Sequence, residues 1–235
     1  MKGLLPFGII LGASLIITGA IIARTFLDIK KLDNIISVSG SAKQQVTSDS
    51  ARWTGNFSRT ITKDQIKDGY AMMKSDEKIV TAFFKSQGFS DINISPVFMN
   101  EIYKSDNNAP REYNLTQNIE IRSDDVNKVK ELAKNSDQLA DKGVIFSANA
   151  VEYYYSKLPE LRVSLLPEAI KDAKNRAASI AKSSDKQVDA IKSVSMGVVQ
   201  VMSVGSIDIS DYGSYDTSNI EKEVMITVKT TFGLK

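Results

Sequence analysis

The chain has 235 residues, 42% hydrophobic and 25% charged, with 30 basic residues against 28 acidic ones. A formal charge of +2 gives no electrostatic case for binding nucleic acid. With no histidine and no cysteine, imidazole acid–base catalysis, thiol nucleophiles and ordinary zinc sites are also excluded.

Leu4 to Ala23, LLPFGIILGASLIITGAIIA, is a run of 20 residues without a charge, bracketed by Lys2 and Arg24. A helix rises about 1.5 Å per residue, so this run is roughly 30 Å long, the thickness of a bilayer's hydrocarbon core. The pattern predicts an uncleaved transmembrane anchor over residues 1–27, in contact with membrane lipid. A cleaved secretory signal and a buried soluble helix are the alternatives. The charged region before the run is only Lys2, and the nearest small-x-small pattern, Thr18-Gly19-Ala20, lies inside the apolar run. Gly8 and Gly12 form a G-x-x-x-G and Gly19 follows Gly12 by one heptad, a face small enough for close helix packing. Arg24, Lys30 and Lys31 against Lys2 lean toward a cytoplasmic C-terminal domain, but large domains translocate largely regardless of charge.

Residues 28–34, DIKKLDN, read as a short charged neck, and the folded part as 35–235. Ile35 to Gly40 and Val46 to Thr60 have the β-branched, alternating character of strands. Thr62 is a suitable N-cap for a helix running to Gln87, with Ile66, Tyr70, Met73, Val80 and Phe84 at helical spacing and Gly88 ending it. Asp91 to Lys104 returns to alternation with a break at Pro96, and the polar turn 105–110 leads into a strand over Arg111 to Arg122. In that strand Tyr113, Leu115, Gln117, Ile119 and Ile121 share the core face, Gln117 being the exception in character.

Asp124 or Asp125 caps a second helix, striped by Val126, Val129, Leu132, Ala133, Leu139 and Ala140 and closed by Gly143. Val144 to Ser156 is the next strand. The fold class is therefore α+β: residues 35–157 hold a ferredoxin-like β-α-β-β-α-β unit, an antiparallel sheet with both helices on one face. Residues 158–235 add a long third helix and a C-terminal pair of strands. The helix, Leu158 to Ser184, has Leu166, Ile170, Ala173, Ala177 and Ile180 at its apolar spacing. The strands are Val188 to Gly205 and Ile220 to Gly233, joined by an acidic loop, Ser206 to Asn219.

Chemistry is sparse in this pattern. Ser75-x-x-Lys78 and Ser183-x-x-Lys186 have Ser-Lys spacing, but both lie in charged segments where the lysine stays solvated and protonated. Placing Gly213 at the sixth position of an EF-hand loop puts Tyr212 and Asn219 where acidic ligands are needed, so that template fails. A looser cation site of Asp208, Asp211 and Asp216 competes with a solvated recognition loop or subunit contact. No phosphate-binding glycine pattern occurs, and no cofactor is expected. Tyr153, Tyr154 and Tyr155 must alternate faces in a strand, so at least one ring points outward, toward an interface or over a neighbouring strand. Trp53 is read first as core and second as a subunit contact.

Five stretches, in order, carry a resemblance: ISVSGSA (Ile36 to Ala42) with the Asp49-Ser50-Ala51 strand start, KSQGFSDINISP (Lys85 to Pro96), EYNLTQNIEIRSDDVNKV (Glu112 to Val129), KGVIFSANAVEY (Lys142 to Tyr153) and EAIKDAKNRAASIAK (Glu168 to Lys182). Together they resemble the SIMPL family, a bacterial domain of unknown function. The resemblance implies an exported, periplasmic or membrane-anchored envelope protein, here held by a single pass in the cytoplasmic membrane with its C-terminal domain outside. It also implies a ring or channel-like homo-oligomer with a scaffolding or stress-related role, and carries no accepted enzymatic activity, hence no catalytic residue. The alternative is an extracytoplasmic module binding a ligand or another envelope protein through loops 105–110 and 206–219.

Overall fold

The computed structural model describes residues 4–32, 34–105 and 109–235, with side chains of the first helix described over 10–27. In chain order the elements are α1 (Leu4–Leu32), β1 (Ile35–Thr47), β2 (Ser50–Thr62), α2 (Ile66–Ser86), β3 (Ile92–Ile94), β4 (Phe98–Ile102), β5 (Glu112–Ser123), α3 (Val126–Lys134) and α4 (Gln138–Asp141). They continue as β6 (Phe146–Ala148), β7 (Glu152–Tyr154), α5 (Leu158–Lys182), β8 (Val188–Met196), β9 (Gln200–Ser203), β10 (Ser214–Tyr215) and β11 (Glu221–Leu234). This is a mixed α+β chain with an N-terminal apolar helix. It divides into a first unit of residues 1–43, 162–199 and 225–235, and a second of residues 44–161 and 200–224.

α1 does not stop at the end of the apolar run. Residues 28–32, expected as a neck, continue the helix, because they contain neither glycine nor proline and include the helix formers lysine and leucine.

In the first unit, β11 pairs antiparallel with β8, from Val228 opposite Met196 to Leu234 opposite Val188. β1 lies beside β11, tied by the Leu234 N–H donating to Asn34 O at 2.8 Å. α5 covers this sheet with a strict four-residue row, Leu165, Ala169, Ala173, Ala177 and Ala181, all buried. The contact is backbone on backbone: a Cβ added to Gly40 would lie 2.3 Å from Ala169 O and 2.4 Å from the Ala173 nitrogen. The phase of the helix thus differs from the sequence expectation. Leu166 and Ile170 sit half-buried on the flank and Ile180 is exposed, because only the alanine row is small enough to meet a glycine strand. Pro167 lies inside α5; it and Val163 are exposed, so the carbonyl deprived of its intrahelical donor faces solvent.

The second unit is built on β2 and β5, paired antiparallel from Ala51 opposite Ser123 to Thr62 opposite Glu112. β3 and β4 add to the far side of β5, and β6 and β7 to the far side of β2, all antiparallel. Pro96 separates β3 from β4 where the sequence places a break. Trp53, Phe57, Leu115, Ile119 and Ile121 from the sheet join Met73, Val80 and Phe84 of α2 and Val126, Val129 and Leu132 of α3 in one core, so both helices cover the same face. Gln117, polar on the core face, donates from Nε2 to Glu77 Oε2 and Ser95 O, each at 3.0 Å.

The C-terminal part is more divided than expected. Val188 to Gly205 is two strands, β8 and β9, separated at residues 197–199, and the 206–219 segment carries β10, which pairs parallel with β9.

Candidate functional site

Residues 10–27 of α1 are exposed, with only Gly12 at intermediate exposure. An added Cβ at Gly12 or Gly19 would meet nothing within 4 Å, so among the described residues nothing packs against these two glycines. The surroundings of Gly8 lie outside the described residues.

Aromatic residues separate cleanly. Trp53 is wholly buried; its indole N–H donates to Asn149 O at 3.0 Å, and its ring meets Phe84 edge-on and stacks on Phe146. This agrees with the first reading of Trp53, as core, and corrects the second, as an interface residue: the core takes the whole indole, and the one polar atom is satisfied within the chain. Tyr153 is buried. Tyr154 points to the opposite face, where it lies against Tyr215 with ring centroids 5.8 Å apart and donates its hydroxyl to Glu152 at 2.8 Å. Burial raises its pKa, and the bond to Glu152 adds to that. The Tyr155 N–H donates to Tyr215 Oη at 2.9 Å.

In the acidic loop the three carboxylates do not converge. Among the described residues no cluster of three metal-ligating side chains occurs. Asp216 closes a local turn, accepting from the Ser218 N–H at 2.8 Å and Asn219 Nδ2 at 2.9 Å. Burial works against its ionisation, but those hydrogen bonds outweigh it and hold the carboxyl below its ordinary range. The cation at this turn is the chain's own. Lys222 is fully buried, donates from Nζ to the carbonyls of Asp216 and Asn219, and lies over the Tyr215 ring at 5.8 Å. Burial lowers its pKa, with Asp216 opposing. Outward, the same loop exposes Ile207 (91%), Ile209 (67%) and Tyr212 (97%), with Asp208 and Asp211 interleaved.

Two further features escaped the sequence reading. On the helix-free face of the second unit, Arg52 and Arg122 stand opposite each other across β2 and β5, a like-charge pairing that costs stability unless neutralised. Glu120 neutralises it, accepting from Arg52 Nε and Arg122 Nε at 2.7 Å each, while Glu152 accepts from Arg52 Nη1 at 3.2 Å. The bonds from Arg122 first and Arg52 second hold the Glu120 carboxyl below its ordinary range. The cluster borders an open cavity of about 350 Å³ that also includes Thr54, Asn93 and Asn118. Two arginines against two glutamates leave no net charge there. The second feature is β8, exposed at eight of its nine positions. Neither has a local signature, since one is a cross-strand register and the other is exposure left by tertiary packing.

The Ser-Lys pairs show no desolvation: Ser75, Lys78, Ser183 and Lys186 are all exposed. Ser183 Oγ is occupied in donating to Ile180 O at 2.6 Å.

The model of the SIMPL family, described as a protein of unknown function (DUF541), matches residues 36–232. No curated protein matches the chain.

Proposed function

The chain belongs to the SIMPL family, and on that premise we propose that it is a membrane-anchored envelope protein, its folded part outside the cytoplasm, that self-assembles and serves as a scaffold rather than a catalyst. The observation that carries this reading is α1. Nine large apolar side chains between Ile10 and Leu27 are exposed, and at about 1.5–3 kcal/mol per buried side chain a bilayer covering them is worth on the order of 15 kcal/mol. An uncovered helix of this kind has no stable place in water, whereas one in lipid needs no further contact with its own chain. The export orientation, a ring or channel-like form and a link to stress responses follow from the family resemblance. The sheet of the second unit, with two helices on one face, fits a split β-α-β unit.

Two measurements on the full-length protein test this. It stays in the membrane pellet after alkaline carbonate extraction, and it sizes in detergent at several times the mass of one chain. Release by carbonate would remove the anchor from the proposal. A monomeric profile at micromolar concentration would remove self-assembly.

A second reading is favoured by Ile207, Ile209 and Tyr212: a module that captures an envelope protein through loop 206–219. Residues 106–108 of the other proposed loop lie outside the described residues. If this reading holds, Ile207→Ser with Tyr212→Ser abolishes partner capture and leaves detergent sizing unchanged.

A further inference from the structure

We infer that neighbouring copies join through the sheet of the first unit, the open edge of β8 in one copy pairing in parallel with the open edge of β1 in the next. The inference rests on the self-assembly proposed above and names its contact surface.

Both strands are edges. Among the described residues β11 is the one strand partner of β1 and of β8. The Ser41 N–H is taken by Asp172 Oδ2 at 2.8 Å, so the part of β1 offered to another strand is residues 35–39, which with the outer side of β8 is a ready template for further pairing. β8 runs antiparallel to β11. β1 does too, since Asn34 meets Leu234 and Ser37 meets Thr231. The two edges therefore run in the same direction, and joining one to the other continues the sheet without inverting the next copy.

Side chains match across this join. Met196, Val194 and Ile191 stand opposite Val228, Thr230 and Phe232. Those three partners are buried, yet Ile191, Val194 and Met196 are 47%, 43% and 40% exposed. The apolar face of the sheet thus extends one strand beyond its helical cover. The register shift between Thr231 and Phe232 brings Ile191 onto the face of Val194 and Met196, from which strict alternation would exclude it. At the other edge Ile36 and Val38 share the face of Gly40, the residue against α5, and are only half-buried. Pairing β8 with β1 makes these two apolar rows continuous. The symmetric alternative, β8 against β8 about its centre, sets Lys192 opposite Lys192, a repulsive cross-strand pair. Because the join uses two different surfaces, it propagates head to tail and closes into a ring when the rotation per copy permits.

The cysteine-free chain makes disulfide trapping a clean test. Ser37→Cys or Ser39→Cys on β1 is combined in one full-length chain with Ser193→Cys or Ser195→Cys on β8, all four being exposed serines. Within one chain β11 separates the two strands by two strand spacings, about 9.6 Å, beyond disulfide reach, so every bridge is intermolecular. Mild oxidation in detergent should give a ladder of dimers and higher species in at least one of the four double variants, with the single variants remaining monomeric on non-reducing gels. A single β8 variant that cross-links as well as the doubles would overturn the head-to-tail contact in favour of symmetric pairing. No ladder from any double variant, in protein that sizes as an oligomer, would overturn this surface while leaving self-assembly standing. Protein that sizes as a monomer would overturn both.

Discussion

Gly40→Ala tests how β1 and α5 are held together. The added methyl carbon would lie 2.3 Å from Ala169 O, 2.4 Å from the Ala173 nitrogen and 2.8 Å from its Cα, all backbone atoms, where ordinary contact begins at 3.4 Å. No side chain can rotate away, so the helix must retreat by about 1 Å, and a gap of that size forfeits a quarter to a half of the dispersion energy along the row it opens. That row includes Ala169, Ala173 and Ala177, none of which has any exposed surface. Overpacking typically costs about 1–3 kcal/mol, and backbone on both sides places this case at about 3 kcal/mol. For a chain of this size that lowers the melting temperature by roughly 6–12 °C. Circular dichroism during urea and thermal unfolding measures it, and Trp53 fluorescence follows the second unit separately. Gly12→Ala, with open space around its Cβ, is the control and should leave unfolding unchanged. A Gly40→Ala midpoint within about 0.5 kcal/mol of the parent, inside the ordinary range for surface substitutions, would refute the close-packing argument.

Arg59 grips the buried Asp76 with two bonds, at 2.6 and 2.8 Å, and donates to Gly143 O at 2.7 Å; Arg59→Ala should cost about 3–5 kcal/mol in urea unfolding by leaving a buried carboxylate unpaired. Lys222→Met should cost about 2 kcal/mol, because it strands the carbonyls of Asp216 and Asn219, and hydrogen exchange should accelerate at the Ser218 amide. Glu120 has its folded pKa lowered from 4.5 by Arg122 and Arg52, so its stabilising contribution is fully present above that value and fades as pH falls through the folded pKa. The stability gap between the parent and Glu120→Gln should therefore narrow progressively below about pH 4.5. A gap independent of pH in urea titrations would contradict the ion-pair account.

Where the chain's own periodicity was strong, sequence and structure agree in detail. The Pro96 break between β3 and β4, the Asp125 side chain accepting from the Lys128 N–H at 2.9 Å and the core face of β5 follow from local rules of turn, cap and alternation. The phase of α5 does not, because hydrophobicity favours the leucine and isoleucine flank while the approach to Gly40 selects the alanines. Trp53 was legible as core, since Arg52, Thr54 and Asn56 alternate with it as polar residues, and packing against Phe84 of α2 decided against the subunit contact by burying the whole ring.

What the sequence determined by itself was the apolar helix, the α+β class and the family, because composition, period and motif order are properties of the chain alone. Tertiary structure decided the rest. It assigned Lys222, rather than a metal, to the turn at Asp216, set Arg52 against Arg122 through pairing in register, and left β8 paired only with β11 and exposed along its length. Each depends on which residues distant in sequence become adjacent in space, and no local pattern encodes that.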